Sequence, residues 1–136
     1  MDSNHELETY YIVSDVVFKV PYDLQPLVNA LIGGGLGHVF SVWADDDGSE
    51  ASGGILVKPF DPESSIARFL DVLDSLDMGS KRLWANCSMR EFDIGYHCGT
   101  SPFSINSAIS SKTVAVIAVN LARIKITLYS LDLRDP

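Results

Sequence analysis

The sequence predicts an α+β domain, with an antiparallel or mixed sheet and helices mostly on one face. Three observations predict it. Segments rich in Tyr, Ile, Val and Phe alternate with segments whose apolar residues recur at helical spacing. Their order is βαββαβ followed by αβ, so the first six elements match a ferredoxin-like unit to which an αβ unit is added. No repeat, low-complexity tract or linker interrupts the 136 residues, and 46% of them are hydrophobic, enough to build one core. A single domain over residues 1–136 is therefore expected.

Residues 8–20 read as a strand. Tyr11 and Val13 share one parity and Val16, Phe18 and Val20 the other, which calls for a bulge near Ser14 and Asp15. Asp23 is placed to cap a short helix with Leu24, Leu27, Val28 and Leu31 inward, Pro26 in its first turn and Gly33 as terminator. Residues 39–44 form the next strand, residues 45–54 a polar loop with three glycines, and residues 55–58 a return strand completing a hairpin. Asp61-Pro62-Glu63 supplies a cap, a proline at the first helical position and an acid at the positive end of the helix dipole. That helix is expected to reach about residue 79, with Ile66, Phe69, Leu70, Leu73 and Leu76 inward and Asp71, Asp74 and Asp77 outward. Residues 81–96 read as a long strand whose buried parity switches near Arg90 and Glu91. Ser110 or Ser111 caps a third helix with Val114, Ile117, Ala118 and Leu121 inward. In the last strand, residues 123–129, Ile124, Ile126 and Leu128 share one face, and Lys125, Thr127 and Tyr129 the other. The expected core joins Trp84, Phe92, Ile94, Ile124 and Ile126 to Phe69, Leu73 and Ile117, and residues 133–136 are expected to be a loose tail.

Charge supplies the best functional clue. Nine of the eighteen acidic residues lie between Asp45 and Asp77, opposed only by Lys58 and Arg68, so this segment carries seven of the eight net negative charges. Asp45, Asp46, Asp47 and Glu50 fall in the expected loop, and Asp71, Asp74 and Asp77 on the expected helix face. Both groups are candidate contacts for a basic protein partner. The acidic balance argues against nucleic acid, which calls for clustered Lys and Arg. No apolar run approaches the roughly 20 residues that span a bilayer, so no membrane segment is expected. The acidic first residues lack the features of a secretory signal, and Cys87 and Cys98 are too few for a disulfide framework. A cytoplasmic location is the expectation.

Several motifs fail on context. Gly33-Gly34-Gly35-Leu36-Gly37-His38 is glycine-rich like a phosphate loop, but it follows a helix and leads into a strand, and no Lys-Ser/Thr ends it. In Asp45-Asp46-Asp47-Gly48-Ser49-Glu50, a calcium loop framed on Gly48 would put Trp43 at the first ligand position and Gly54 at the twelfth. Cys87, His97, Cys98 and His38 lack the spacing of a zinc site. Neither a metal nor any other cofactor is expected. Glu91, Asp93 and His97 recur at every second residue of a strand and so share a face, the arrangement that general acid–base chemistry would need.

The stretch Glu91-Phe92-Asp93-Ile94-Gly95-Tyr96, then Ser107-Ala108-Ile109-Ser110, Ala122-Arg123-Ile124 and Thr127-Leu128-Tyr129, resembles the C-terminal half of a family of small bacterial α+β proteins of unknown function. Such proteins are similar to the immunity proteins that accompany polymorphic toxins. The resemblance implies a free-standing domain and carries no catalytic residues with it. Together with the charge it leads to the expectation of a protein-binding module, an immunity-like inhibitor that occludes a basic toxin domain. Two alternatives stand beside it: a small-molecule-binding or enzymatic domain with a pocket near Glu91, Asp93 and His97, and a structural subunit that forms a homodimer through a sheet face or edge strand.

Overall fold

A computed structural model describes residues 8–36, 40–45, 48–101 and 105–130. The described chain is α+β. Its five strands are β1 (Tyr10–Val20), β2 (Ser41–Asp45), β3 (Gly48–Ile55), β4 (Met89–Cys98) and β5 (Arg123–Ser130). Its helices are α1 (Gln25–Leu31), continued by a π turn (Ile32–Leu36), then α2 (Pro62–Ser75), α3 (Met78–Ala85) and α4 (Ser111–Val119). The strands form one mixed sheet in the order β2-β3-β1-β4-β5. The first four pair antiparallel in the ferredoxin-like order, and β5 adds to β4 in parallel through the α4 crossover.

Alternation along β1 and β4 fixes which face is covered. Val16, Phe18 and Val20 of β1, and Phe92 and Ile94 of β4, turn to one side and are buried with Ile66, Phe69 and Leu73 of α2 and Leu27, Val28 and Leu31 of α1. Aromatic rings close the space between the layers. Phe18 lies edge-on to Trp84 and Phe92 edge-on to Phe69, with centroids 5.5 and 5.6 Å apart, and Phe69 also meets Trp84 at 5.5 Å.

Several expectations are corrected. The region read as a polar loop is mostly strand β3, paired on one side with β2 and on the other with β1. Low strand propensity is overridden there because the position demands small residues. A Cβ on Gly53 would lie 2.6 Å from the Phe40 ring, and one on Gly48, at φ 131°, would lie 2.2 Å from the Val20 carbonyl oxygen. The expected return strand at residues 55–58 contributes only Ile55.

The long helix stops at Ser75, and Asp77 is the N-cap of α3, accepting from the Ser80 N–H at 2.9 Å. Residues 81–85, read as strand, are therefore helical. The alternation of Leu83, Ala85 and Cys87 was a coincidence of spacing, whereas Ser80 and Trp84, four apart, are the buried pair of α3. The bulge of β1 falls between Tyr11 and Val13, and β4 runs through Arg90 and Glu91 without one. The left-handed residue beyond α1 is Gly35, at φ 107°, rather than Gly33.

The largest correction concerns the last αβ unit. Only Thr113 and Ile117 of α4 are buried, while Val114, Ala118 and Leu121 are exposed. Ile124, Ile126 and Leu128 do share the helix-side face with Phe92, Ile94 and Tyr96, but they are 41%, 63% and 61% exposed instead of joining the core. The helices cover the first four strands and leave β5 bare.

Phe69 touches both Trp84 and Phe92, so truncating it opens a cavity where three elements meet. Phe69→Ala is expected to lower the unfolding free energy by about 3–5 kcal/mol, read as a shift in the urea midpoint with little change in slope.

Candidate functional site

Helices α2, α3 and α4 enclose a groove of about 400 Å³ whose walls include Leu70 and Leu73 of α2, Trp84 of α3 and Val116 of α4. Asp74 and Lys81 stand beside these apolar side chains from opposite helices. Each helix is held in place by local chemistry. Asp61 caps α2 by accepting from the Ser64 N–H at 2.7 Å, and its amphipathic stripe buries Ile66, Phe69, Leu70 and Leu73. Asp71 and Asp74 are consequently left outward and exposed.

The end of α3 is held by a buried cation. Arg90, on the core face of β4, donates from Nη1 to the carbonyl oxygens of Trp84, Ala85 and Cys87 at 2.8, 3.2 and 3.0 Å. Its guanidinium lies 5.9 Å from the centre of the Trp84 ring. Unpaired carbonyls and the negative end of a helix favour a cation at this point. Trp84 in turn donates from Nε1 to Asn120 Oδ1 at 2.9 Å, joining α3 to the C-terminal end of α4.

The start of α4 rests on Glu63. Its carboxylate accepts from the Ser110 N–H at 2.7 Å and from the Thr113 hydroxyl at 2.6 Å, while Ser110 Oγ accepts from the Thr113 N–H at 3.1 Å. The bonds from Thr113 and Ser110 hold the Glu63 carboxyl below the usual glutamate range. Glu63 thus serves two helix starts, the first turn of its own helix and the N-terminus of α4. The motif Pro62-Glu63 revealed the first role; the second requires the tertiary approach of Ser110.

The acidic candidates separate into two places. Asp45 ends β2, Asp46 and Asp47 lie outside the described residues, and Glu50 turns to the open face of the sheet, where it pairs with Lys19 at 3.2 Å. Asp71 and Asp74 face away from the sheet on the helix side. Asp77 is exposed but committed to capping α3, and the Ser80 bonds lower its carboxyl below the usual range. Strand parity therefore sets Glu50 and the α2 aspartates on opposite sides of the molecule.

Glu91, Asp93 and His97 do share the open face, and the structure adds Asp15, directly opposite Asp93. Each has its own partner. Glu91 accepts from Arg123 Nε at 2.6 Å, and Asp93 accepts from the Thr127 hydroxyl at 2.6 Å and pairs with Lys125 at 3.8 Å. His97 donates from Nδ1 to the Glu8 carbonyl oxygen at 2.7 Å and stacks on Tyr10 with centroids 4.9 Å apart. Burial, and then the Asp93 charge, raise the Asp15 carboxyl above its ordinary range. The face is a ladder of cross-strand pairs, with no carboxylate and imidazole converging on one point.

Cys87 is buried and its thiol is pushed up to about 11 by that burial, the behaviour of a small core hydrophobe. Cys98 is partly exposed, and His38 lies outside the described residues. Among the described residues no three His, Cys, Asp or Glu side chains are gathered as a metal site would require. No described helix is long and apolar enough to cross a membrane.

Comparison with protein-family models, curated proteins and solved structures yields no match.

Because the Glu63 carboxyl is lowered in the folded state, its contribution to stability is full above the ordinary glutamate value of 4.5 and is lost as pH falls through the lowered folded value. Glu63→Gln should therefore shift the denaturation midpoint at neutral pH. The difference from wild type should shrink toward zero in strong acid, and midpoints measured across a pH series check it.

Proposed function

We propose that this domain is a protein-binding module whose α2–α3–α4 groove receives a basic segment of a partner protein, and that it acts by occlusion, as an immunity protein acts on a basic toxin domain. The observation that carries this reading is the placement of exposed Asp74 beside the apolar walls formed by Leu70, Leu73 and Val116, with Asp71 three residues before it on the same helix. Apolar walls offer a place for an anchor side chain, and the neighbouring carboxylates select a cation beside that anchor. Lys81 on the opposite helix repels a second cation, so a bound segment has a preferred direction. Among the described residues neither Asp71 nor Asp74 forms an ion pair, which leaves their charge available. Glu50, on the other side of the sheet and paired there with Lys19, contributes through the long-range field alone.

The test uses a lysine-rich amphipathic helical peptide, its glutamate-for-lysine counterpart, and the full chain, with binding followed by calorimetry and, in a Trp43→Phe background, by emission from Trp84 in the groove wall. The basic peptide should bind more weakly as salt rises. The double variant Asp71→Asn/Asp74→Asn should keep the wild-type melting temperature while slowing association by roughly 10-fold at low salt. Equal binding of both peptides, or a double variant indistinguishable from wild type, overturns the proposal.

A further inference from the structure

We infer that β5 pairs antiparallel with the β5 of a second copy of this chain, about a two-fold axis normal to the sheet that passes midway between the two copies of Ile126. This inference is independent of the groove, because it rests on another edge of the molecule and other residues.

Among the described residues strand β5 lies at the end of the sheet, with β4 on one side of its backbone and the other row of N–H and C=O groups facing outward. Edge strands of monomers are usually shortened, bulged, interrupted by proline or guarded by charge. None of these devices is present. β5 is eight residues long, contains no proline, and keeps an unbroken register with β4 from Arg123 to Ser130. Its cations do not guard the edge either. Arg123 and Lys125 reach back across the sheet to Glu91 and Asp93, so their charge is compensated within the protomer.

What covers this edge is indicated by the strand's own pattern. Antiparallel pairing sets side chains of the same face opposite one another, so a two-fold normal to the sheet must pass between the two copies of one residue and keep the apolar side apolar. With the axis at Ile126, that residue meets the partner's Ile126, and Ile124 meets the partner's Leu128. On the opposite face Lys125 meets the partner's Thr127, and Arg123 meets the partner's Tyr129, a cation set against an aromatic ring. No like charges are opposed. Moving the axis to Lys125 would place two ammonium groups against each other, which disfavours that register. Ile124, Ile126 and Leu128, together with the neighbouring Ile105, are all more than 40% exposed in the single chain. Pairing brings both copies of this strip together in one doubled sheet, and an isologous contact of this kind closes at two copies.

The mass of the full chain should be followed by light scattering through a dilution series. A dimer of twice 14.9 kDa that dissociates on dilution is expected. Ile126→Asp, at a position already exposed in the monomer, should leave the circular dichroism unchanged and yield a monomer, because two carboxylates would face each other on the axis. In a Cys98→Ser background, Ile126→Cys should crosslink two chains under mild oxidation, while Val119→Cys, on the exposed side of α4, should not. A chain that is monomeric at every concentration, a dimer that survives Ile126→Asp, or open-ended oligomers in place of a closed dimer would each overturn the inference. None of these results bears on peptide binding in the groove, which Ile126→Asp should leave intact.

Discussion

The contacts among Phe18, Trp84, Phe69 and Phe92 join every layer of this fold. Phe18 and Phe92 come from the adjacent interior strands β1 and β4, Phe69 from α2 and Trp84 from α3, with neighbouring ring centroids 5.5 to 5.6 Å apart. Large rings bury much apolar surface at small entropic cost, and their tilted and edge-on arrangement fixes α2 and α3 relative to the sheet. The groove is a consequence of that fixation. Its walls, Leu70, Leu73 and Trp84, are the outer rim of the same core, and it is completed by the one helix that the core does not fully hold.

That helix, α4, is attached by polar chemistry more than by burial. It commits only Thr113 and Ile117 to the interior, and Glu63 and Asn120 tie its two ends to α2 and α3. A helix secured at both ends can leave apolar side chains such as Val116 exposed beside the groove. The same arrangement leaves β5, which follows it, without a helix above. An exposed apolar face on an unguarded edge is the usual mark of an association surface.

The open face of the sheet has a different character. Lys19 with Glu50, Arg123 with Glu91 and Lys125 with Asp93 cross-link neighbouring strands, and Asp15 and Asp93 stand directly opposite each other. The more exposed pairs, Lys19 with Glu50 and Lys125 with Asp93, contribute little stability each. Their effect is to pin strand register and to consume charge that would otherwise protect the β5 edge.

The sequence by itself determined the α+β class, the cap at Asp61, a serine cap at Ser110 or Ser111 and the two faces of β5, because caps and alternation are local and their spacing is written in consecutive residues. Tertiary structure alone decided three other matters. Glycine-rich β3 is a strand because it is paired on both sides and crowded by Phe40 and Val20, a cost visible only across the sheet. Asp77 caps α3 instead of extending an acidic stripe, because the chain turns where α2 has spent its apolar face. Glu50 and Asp74 fall on opposite sides of the molecule, since strand parity and helix packing, rather than proximity in sequence, assign each side chain its direction. The same physics explains why alternating Ile124, Ile126 and Leu128 announced a buried strand. Alternation reports that a face is apolar, and only the arrangement of the helices decides whether anything within the chain covers it.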